Sequence, residues 1–241
     1  QGLYPPGSVF KTVTLLEYLR EHQMDPTGFS YICKGKISTG DRNISCYHGK
    51  SHGELDLKSA FAKSCNSAFA QIGSELNVDS YEQLADQLLF NQDLPLSFPY
   101  SKSSFALKDT DTETTKMLTA IGQGDTLVTP MHLAMLMSAI ANDGVLMKPR
   151  FLERTESYTG TLVERYPEET YGSIMTQEEA ELLQLFLRTV VEDGTASALK
   201  SSIYEASGKT GTAEYSSDKK KSHAWFTGYA TDGERELAVA V

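Results

Sequence analysis

The first part of the chain has apolar residues at three- and four-residue spacings, which is the period of an amphipathic helix. After the helix breaker Pro5-Pro6-Gly7, this period is kept by five residues: Val9, Phe10, Val13, Leu16 and Leu19. The pattern predicts a helix from about Ser8 to Gln23, with Ser8 in its first turn. Similar patterns predict six further helices: Leu55 to Lys63, Asn66 to Leu76, Tyr81 to Leu89, Thr114 to Ile121, Met131 to Asn142 and Thr176 to Glu192.

The last part of the chain changes character and predicts strands. Residues 25–53 and 91–112 are polar and indicate loops, the first with room for a short hairpin. A helix-rich body followed by antiparallel strands predicts an α+β domain with a helical part packed on a sheet. Three long strands and two short ones are predicted: Glu205 to Glu214, Ser222 to Ala230, Glu236 to Val241, Val145 to Met147 and Thr161 to Arg165.

Composition narrows the class of protein. The 241 residues carry a net charge of −10, and such a surface repels phosphate backbones, so nucleic acid is not an expected partner. The apolar stretch from Met131 to Ala141 is shorter than the roughly 20 residues that cross a bilayer. Residues 1–7 lack a charged start followed by an apolar block, so we expect no signal peptide. We interpret the chain as a piece of a longer one.

The first candidate for chemistry is Ser8-Val9-Phe10-Lys11. Positions i and i+3 share one face of a helix, so Lys11 can reach the Ser8 hydroxyl. A lysine with a lowered pKa can take the proton that makes serine a nucleophile. The spacing alone is weak, because it recurs at Ser197/Lys200, Ser216/Lys219 and Ser217/Lys220, and a capping serine followed by a surface lysine explains any one match.

The second candidate is Ser64-Cys65-Asn66, at a predicted break between two helices. There a second hydroxyl can relay a proton, and an amide can hold a substrate carbonyl while orienting Lys11. An ordinary helix cap explains this segment equally well when it is taken alone.

The third candidate is the glycine-flanked Ser207-Gly208-Lys209-Thr210-Gly211-Thr212 on a predicted strand. Glycine weakens a strand interior but allows close approach of a ligand. A lysine with two hydroxyls suits a substrate carboxylate. The alternative is a glycine-rich turn between strands, which the flanking strand pattern disfavours.

Together and in this order, the three segments resemble the serine penicillin-recognising enzymes, whose pattern is Ser-x-x-Lys, Ser-x-Asn and Lys-Thr-Gly. The similarity covers nearly the whole chain. It includes three longer segments that look like penicillin-binding transpeptidases: Pro6-Gly7-Ser8-Val9-Phe10-Lys11, Ile121-Gly122-Gln123-Gly124 and Ser222-His223-Ala224-Trp225-Phe226-Thr227-Gly228-Tyr229-Ala230.

The resemblance implies a catalytic role for five residues. Ser8 matches the nucleophile that attacks the penultimate D-Ala carbonyl of a peptidoglycan stem peptide, and Lys11 matches its general base. Ser64 and Lys209 match the groups that pass a proton to the departing D-Ala amine. Asn66 matches the residue that binds the acyl amide and steadies Lys11.

The resemblance also implies how substrate is held. Thr210, Gly211 and Thr212 match the substrate-binding strand, with the two hydroxyls on the terminal carboxylate. The backbone N–H groups of Ser8 and Thr212 match the oxyanion hole, where each donor is worth roughly 3 to 4 kcal/mol. Neither a metal nor an organic cofactor is implied.

For the chain as a whole, the resemblance implies one transpeptidase domain over residues 1–241, truncated at both ends. Its expected fold is α+β, an antiparallel sheet packed with helices plus an all-helical subdomain. Stem peptides are the expected substrates and β-lactams the covalent inhibitors, with cell-wall synthesis proteins as further partners. We expect it on the extracytoplasmic face of a bacterial membrane, held by an N-terminal segment outside this sequence.

Several alternatives remain on sequence grounds. A β-lactamase shares the motifs, but no Glu-x-x-x-Asn segment lies between Asn66 and Lys209, which favours slow deacylation by a transpeptidase or D,D-carboxypeptidase. A β-lactam sensor domain is disfavoured because Asn66 stands where such sensors have a hydrophobic residue.

A metal-binding domain is a further alternative, built from Cys33, Cys46, His48 and His52. These residue types suit zinc, but the gap between the two cysteines is long for a structural finger. We expect instead that the histidines are loop residues and that Cys33 and Cys46 can form a loop disulfide.

Overall fold

The computed structural model describes residues 2–40, 42–214 and 222–241. Within these ranges a 3-10 turn, Gly7–Phe10, leads into the first α-helix, and two more 3-10 turns lie at Tyr47–Gly49 and Ser197–Leu199. The α-helices are α1 (Lys11–Glu21), α2 (Leu57–Ala62), α3 (Asn66–Glu75), α4 (Val78–Gln87), α5 (Glu113–Ala120), α6 (Pro130–Ala141) and α7 (Gln177–Asp193). The strands are β1 (Tyr31–Cys33), β2 (Lys36–Ser38), β3 (Asn43–Ser45), β4 (Gly53–Leu55), β5 (Val145–Met147), β6 (Arg154–Glu156), β7 (Leu162–Arg165), β8 (Thr170–Ser173), β9 (Glu205–Glu214), β10 (Ser222–Thr231) and β11 (Glu236–Ala240).

A three-stranded antiparallel sheet of β9, β10 and β11 carries the third candidate segment. β10 lies in the middle, with Lys209 opposite Thr227 and Gly211 opposite Trp225. Helices α6 and α7 pack against this sheet, and the Gly7–Phe10 turn packs against β9. This arrangement of helices on an antiparallel sheet confirms the predicted α+β class.

Helix α1 lies at the centre of the helical part. Its apolar residues are almost fully buried, and α3, α4 and α7 surround it. Burial of this kind stabilises each large side chain by about 1.5 to 3 kcal/mol. Because α1 is fixed on several sides, the residues in its first turn have defined positions.

The short strands depart most from the sequence prediction. Residues 25–53 were predicted as loop with room for a short hairpin, and the antiparallel pair of β2 and β3 agrees with that hairpin. The strand β1 and its pairing with β4 were not predicted. The strands β6 and β8 were also not predicted. These segments are three or four residues long and mostly exposed, so they lack the apolar alternation that marks a strand. No helix in the described part of the chain is long and apolar enough to span a bilayer.

Candidate active site

Ser8 lies in a turn whose main chain packs directly against the main chain of other segments. It is the partly exposed residue between buried Gly7 and buried Val9. Gly7 has φ +55°, which glycine adopts without strain, and its N–H donates to the Gly122 carbonyl over 2.8 Å. A Cβ at Gly122 would collide with the Gly7 carbonyl. These contacts hold the main chain next to Ser8 in place, and the Ser8 side chain remains partly exposed.

The strand β9 packs against the other side of the same turn. A Cβ at Gly211 would lie 2.9 Å from Val9 Cγ1 and 3.1 Å from Val9 N, and one at Gly7 would lie 2.6 Å from the Thr212 carbonyl oxygen. The first and third candidate segments therefore touch. The sequence analysis explained Gly211 by the close approach of a ligand. In the structure, the segment that lies close to Gly211 is the main chain of the Ser8 turn.

Lys11 connects the first segment to the second. Its Nζ donates to the Ser64 carbonyl at 2.9 Å, to Ser64 Oγ at 3.2 Å and to Asn66 Oδ1 at 2.7 Å. The side chain is fully buried, and no carboxylate among the described residues pairs with it. Burial lowers the pKa of Lys11 to about 7, and electrostatic interaction with the nearby Cys65 and Cys46 partly offsets this shift. Such an amine can accept a proton near neutral pH.

The second segment forms a sharp turn between α2 and α3. Ser64 has φ +53°, and Cys65 caps α3 by accepting from the Ala68 N–H. Asn66 is the first residue of α3, and its Nδ2 donates to the Ser45 carbonyl at 2.9 Å. That bond fixes the amide so that Oδ1 faces Lys11.

A second buried lysine faces the same region from β9. Lys209 Nζ donates to the Thr210 carbonyl at 3.0 Å and lies 5.6 Å from the centre of the Phe61 ring. Burial, and then the positive charge of Lys11, lower the pKa of Lys209 well below its usual value. Because the amines of Lys11 and Lys209 lie in the same region, a positive charge on one disfavours protonation of the other.

The two threonines of the third segment lie on one face of β9, because side chains alternate along a strand. Thr212 is exposed, and Thr210 Oγ1 lies 2.5 Å from Thr195 Oγ1. Thr212 can therefore be reached from solvent, whereas Thr210 is half-buried and its hydroxyl is hydrogen-bonded to Thr195.

The structure thus brings together the residues that the sequence singled out. Lys11 holds Ser64 and Asn66, and β9 touches the Ser8 turn. No side-chain hydrogen bond within the described ranges fixes the Ser8 hydroxyl, so its contact with Lys11 stays a prediction, as does the oxyanion hole. Of the other Ser-x-x-Lys pairs, Ser197 and Lys200 are exposed, and the two at 216–220 lie outside the described residues.

Sequence reasoning missed several supports of this site. Phe69 lies under Lys11, with 5.6 Å from Nζ to the ring centre, and Phe61 lies under Lys209. Trp225 Nε1 donates to the Pro5 carbonyl at 3.1 Å and anchors the approach to Ser8. The family-like segments around Gly122 and Trp225 indicated that these residues are important. They did not indicate which residues Gly122 and Trp225 contact.

Comparison with known proteins shows which family this chain is similar to. The family model described as "Penicillin binding protein transpeptidase domain" matches residues 1–241. The peptidoglycan D,D-transpeptidase PbpA of Mycolicibacterium smegmatis is 28% identical over 245 residues, covering 99% of this chain and 49% of that protein. The peptidoglycan D,D-transpeptidase MrdA of Acinetobacter baumannii is 25% identical over 264 residues, covering 100% of this chain and 39% of that protein. The chain therefore spans less than half the length of these relatives.

Solved structures have the same fold. The D,D-transpeptidase domain of a peptidoglycan glycosyltransferase from Eggerthella lenta superposes with a TM-score of 0.88 at 26% identity, over 99% of this chain and 60% of that one. Penicillin-binding protein A of M. tuberculosis, in an imipenem acyl-enzyme complex, superposes with a TM-score of 0.86 at 23% identity, over 99% of this chain and 55% of that one.

Proposed function

Because this chain belongs to the penicillin-binding protein transpeptidase domain family, we propose that it is a peptidoglycan D,D-transpeptidase with Ser8 as the acylated nucleophile. The observation that carries the proposal is the position of Lys11, three residues after Ser8. Its amine is fully buried and donates hydrogen bonds to both Ser64 and Asn66. The named relatives, peptidoglycan D,D-transpeptidases, support the substrate class.

In the proposed acylation step, neutral Lys11 takes the proton of the Ser8 hydroxyl while the Ser8 oxygen attacks the carbonyl carbon of the penultimate D-Ala. The backbone N–H groups of Ser8 and Thr212 stabilise the oxyanion that forms. The amide bond to the terminal D-Ala then breaks, and Lys11 returns the proton that it took to the leaving nitrogen through Ser64 and Lys209, which leaves Lys11 neutral again. An ester to Ser8 remains.

In the second step, an amine of another stem peptide attacks this ester, and Lys11 accepts the proton that the amine loses. A new amide bond forms as the ester C–O bond to Ser8 breaks, and Lys11 passes the proton to the Ser8 oxygen, which restores the hydroxyl and the neutral amine. Thr210 and Thr212 hold the terminal carboxylate before it departs. We place the reaction on the extracytoplasmic side of the membrane, where its polymeric substrate lies.

Labelling with a β-lactam tests the proposal. Incubation with benzylpenicillin should add the mass of one whole inhibitor per chain, and digestion should place the adduct on the peptide that contains Ser8. Nitrocefin should be bound without sustained turnover. Rapid nitrocefin hydrolysis would show a β-lactamase instead, and an adduct on any other peptide would reject the proposal.

A peptide ending in D-Ala-D-Ala, supplied with and without a D-amino acid as acceptor, separates transfer from hydrolysis. Release of D-Ala with formation of the exchanged peptide supports the transpeptidase. Release of D-Ala alone indicates a carboxypeptidase.

The acylation rate should depend on pH through Lys11. The neutral amine is the base, and the pKa of Lys11 is about 7, so the rate constant should fall about tenfold per pH unit below that value and level off above it. Cys65 and Cys46 raise the pKa of this amine, and the charge of the amine in turn lowers the pKa of Lys209. Stopped-flow acylation by nitrocefin from about pH 5 to about pH 9 measures the profile. A rate that does not change through neutrality would exclude Lys11 as the base.

A further inference from the structure

Helix α1 buries one lysine and one glutamate, Lys11 and Glu17, and the proposed reaction uses only the lysine. Glu17 is 1% exposed, and its Oε2 atom makes no hydrogen bond. In the part of the chain that the structure describes, Glu17 also forms no ion pair. Burial of a carboxylate without a partner is costly, so this side chain needs a physical explanation.

Glu17 lines a small open cavity between α1 and α4. The cavity has a volume of about 270 Å³, which is below the usual range of roughly 300 to 1,000 Å³ for sites that enclose a whole ligand. The end of a side chain or of a small molecule fits such a space. Glu17 is the buried residue in the lining, and the others are half-buried or exposed: Arg20, Glu21, Ser80, Gln83 and Gln87.

The cavity has an excess of negative charge. The Arg20 guanidinium donates to both carboxylate oxygens of Glu179 on α7 and to Gln87 Oε1. Glu17 and Glu21 therefore face the cavity without an ion-pair partner among the described residues. Burial is the main cause that raises the pKa of Glu17, and the charge of Glu21 adds to it, while Ser80 and Arg20 act in the opposite direction. A cation in the cavity would stabilise both carboxylates.

The acceptors in the cavity suit a primary ammonium group better than a metal ion. An ammonium group has three N–H donors, whereas Ca²⁺ takes about 6 to 8 oxygen ligands. Glu21 Oε1 already accepts from Ser80 Oγ and from the Asn77 N–H, so three carboxylate oxygens remain, both of Glu17 and Oε2 of Glu21. Within the described ranges, no third histidine, cysteine or carboxylate ligand joins these two residues.

We propose that this cavity binds a primary ammonium group, with Glu17 as its main ligand. The ammonium group donates to Glu17 and Glu21, and its methylene stem passes the exposed side chains of Gln83 and Gln87. Two sources carry this group, a free diamine and the lysine-type side chain of a peptide. The site goes beyond the proposed function and does not depend on it, because Ser8 is not among the residues that line the cavity.

Titration of the wild-type chain with 1,5-diaminopentane, followed by calorimetry at constant ionic strength, tests the site. We expect saturable binding of one amine per chain. Glu17→Gln keeps the shape of the side chain but removes its charge, and it should weaken binding by at least about tenfold. Glu82→Gln, the same change on the exposed surface of α4, should bind as the wild type does. A wild-type chain that binds no amine, or an equal loss in Glu82→Gln, would overturn the proposal.

Two other cations separate an ammonium site from a general negative patch. Tetramethylammonium has the same charge but no N–H donor, and Mg²⁺ usually keeps several of its waters. Neither should displace the diamine at equal ionic strength. Displacement by tetramethylammonium would show charge attraction alone, and displacement by Mg²⁺ would show a metal site, so either result rejects the ammonium site.

The amide of Nα-acetyl-lysine identifies the source of the group. This compound carries the same ammonium and methylene stem on a peptide unit. Binding as tight as that of the diamine would assign the site to a peptide side chain. Binding of the diamine alone would assign it to a free polyamine. Both results support an ammonium site.

Thermal melting distinguishes a binding role of Glu17 from a structural one. The diamine should raise the melting temperature of the wild type but not that of Glu17→Gln. Without the amine, Glu17→Gln should melt at or above the wild-type temperature, because a buried carboxylate without a partner has been removed. A large decrease would show that Glu17 supports the fold and would remove it as a ligand. If this variant does not fold, the wild-type titrations still decide. None of these measurements uses acylation, so a failure of the proposed function would leave them unaffected.

Discussion

Replacement of Ser8 by alanine is expected to abolish covalent labelling by benzylpenicillin. The hydroxyl is the only group lost, and within the described ranges its side chain makes no hydrogen bond, so the free energy of unfolding should change by no more than about 0.5 kcal/mol. A variant that folds normally but gains no mass after incubation would assign the acylated atom to Ser8 Oγ. Intact-mass spectrometry and a thermal melt provide both measurements.

Ser197→Ala is the matched control for this variant. Ser197 has the same spacing to Lys200, but both residues are exposed at the 3-10 turn that follows α7. We expect labelling to be unchanged. A Ser8→Ala chain that still acquires the adduct, or a control that loses it, would remove Ser8 from the mechanism.

Lys11→Met is expected to slow acylation by about 10²- to 10⁴-fold, the usual contribution of a general base. Methionine keeps most of the side-chain volume, but no longer accepts the proton of Ser8. The residual rate should lose its dependence on pH around neutrality. Stopped-flow kinetics with nitrocefin measures both effects.

The stability of Lys11→Met reflects two opposing changes. Loss of the amine leaves the Ser64 carbonyl and Asn66 Oδ1 without a donor, which costs about 1 to 3 kcal/mol, while removal of a buried charge-bearing group is favourable. Lys200→Met, at the equivalent position behind Ser197, should leave the rate unchanged. If Lys11→Met acylates at the wild-type rate, another group is the base.

The candidate site could be predicted from sequence where chemistry dictates residue type. Lys11, Ser64 and Asn66 were grouped from their motifs, and the structure joins them by direct hydrogen bonds. The helix after Gly7 and the strand carrying Lys209 were also predicted, because their apolar patterns are long enough to show a period. Both predictions are confirmed by the observed elements.

What could not be predicted depends on tertiary contacts between segments with no pattern of their own. The spacing of Cys33 and Cys46 does not show that Cys65 lies beside them, or that His52 rather than His48 does. In the structure the sulfur and ring-nitrogen atoms of Cys33, Cys46, Cys65 and His52 lie within 4.8 Å of one another. All three cysteines are free, so the expected disulfide between Cys33 and Cys46 is absent. The strands β1 and β3 are three residues long and bury one side chain each, so they are too short to show a period. The rings under the two buried lysines are ordinary core residues until the fold is known.

The glycines around Ser8 have a consequence for how this sequence can diverge. Gly7, Gly122 and Gly211 each stand where a methyl group would meet another stretch of main chain, and two of them also have positive φ. A deep mutational scan of this region would consequently show near-complete intolerance at these three positions, because an added side chain has no space there. Sequence change close to Ser8 should therefore be found at side chains with open space around them, such as the exposed Thr212, rather than at these three glycines.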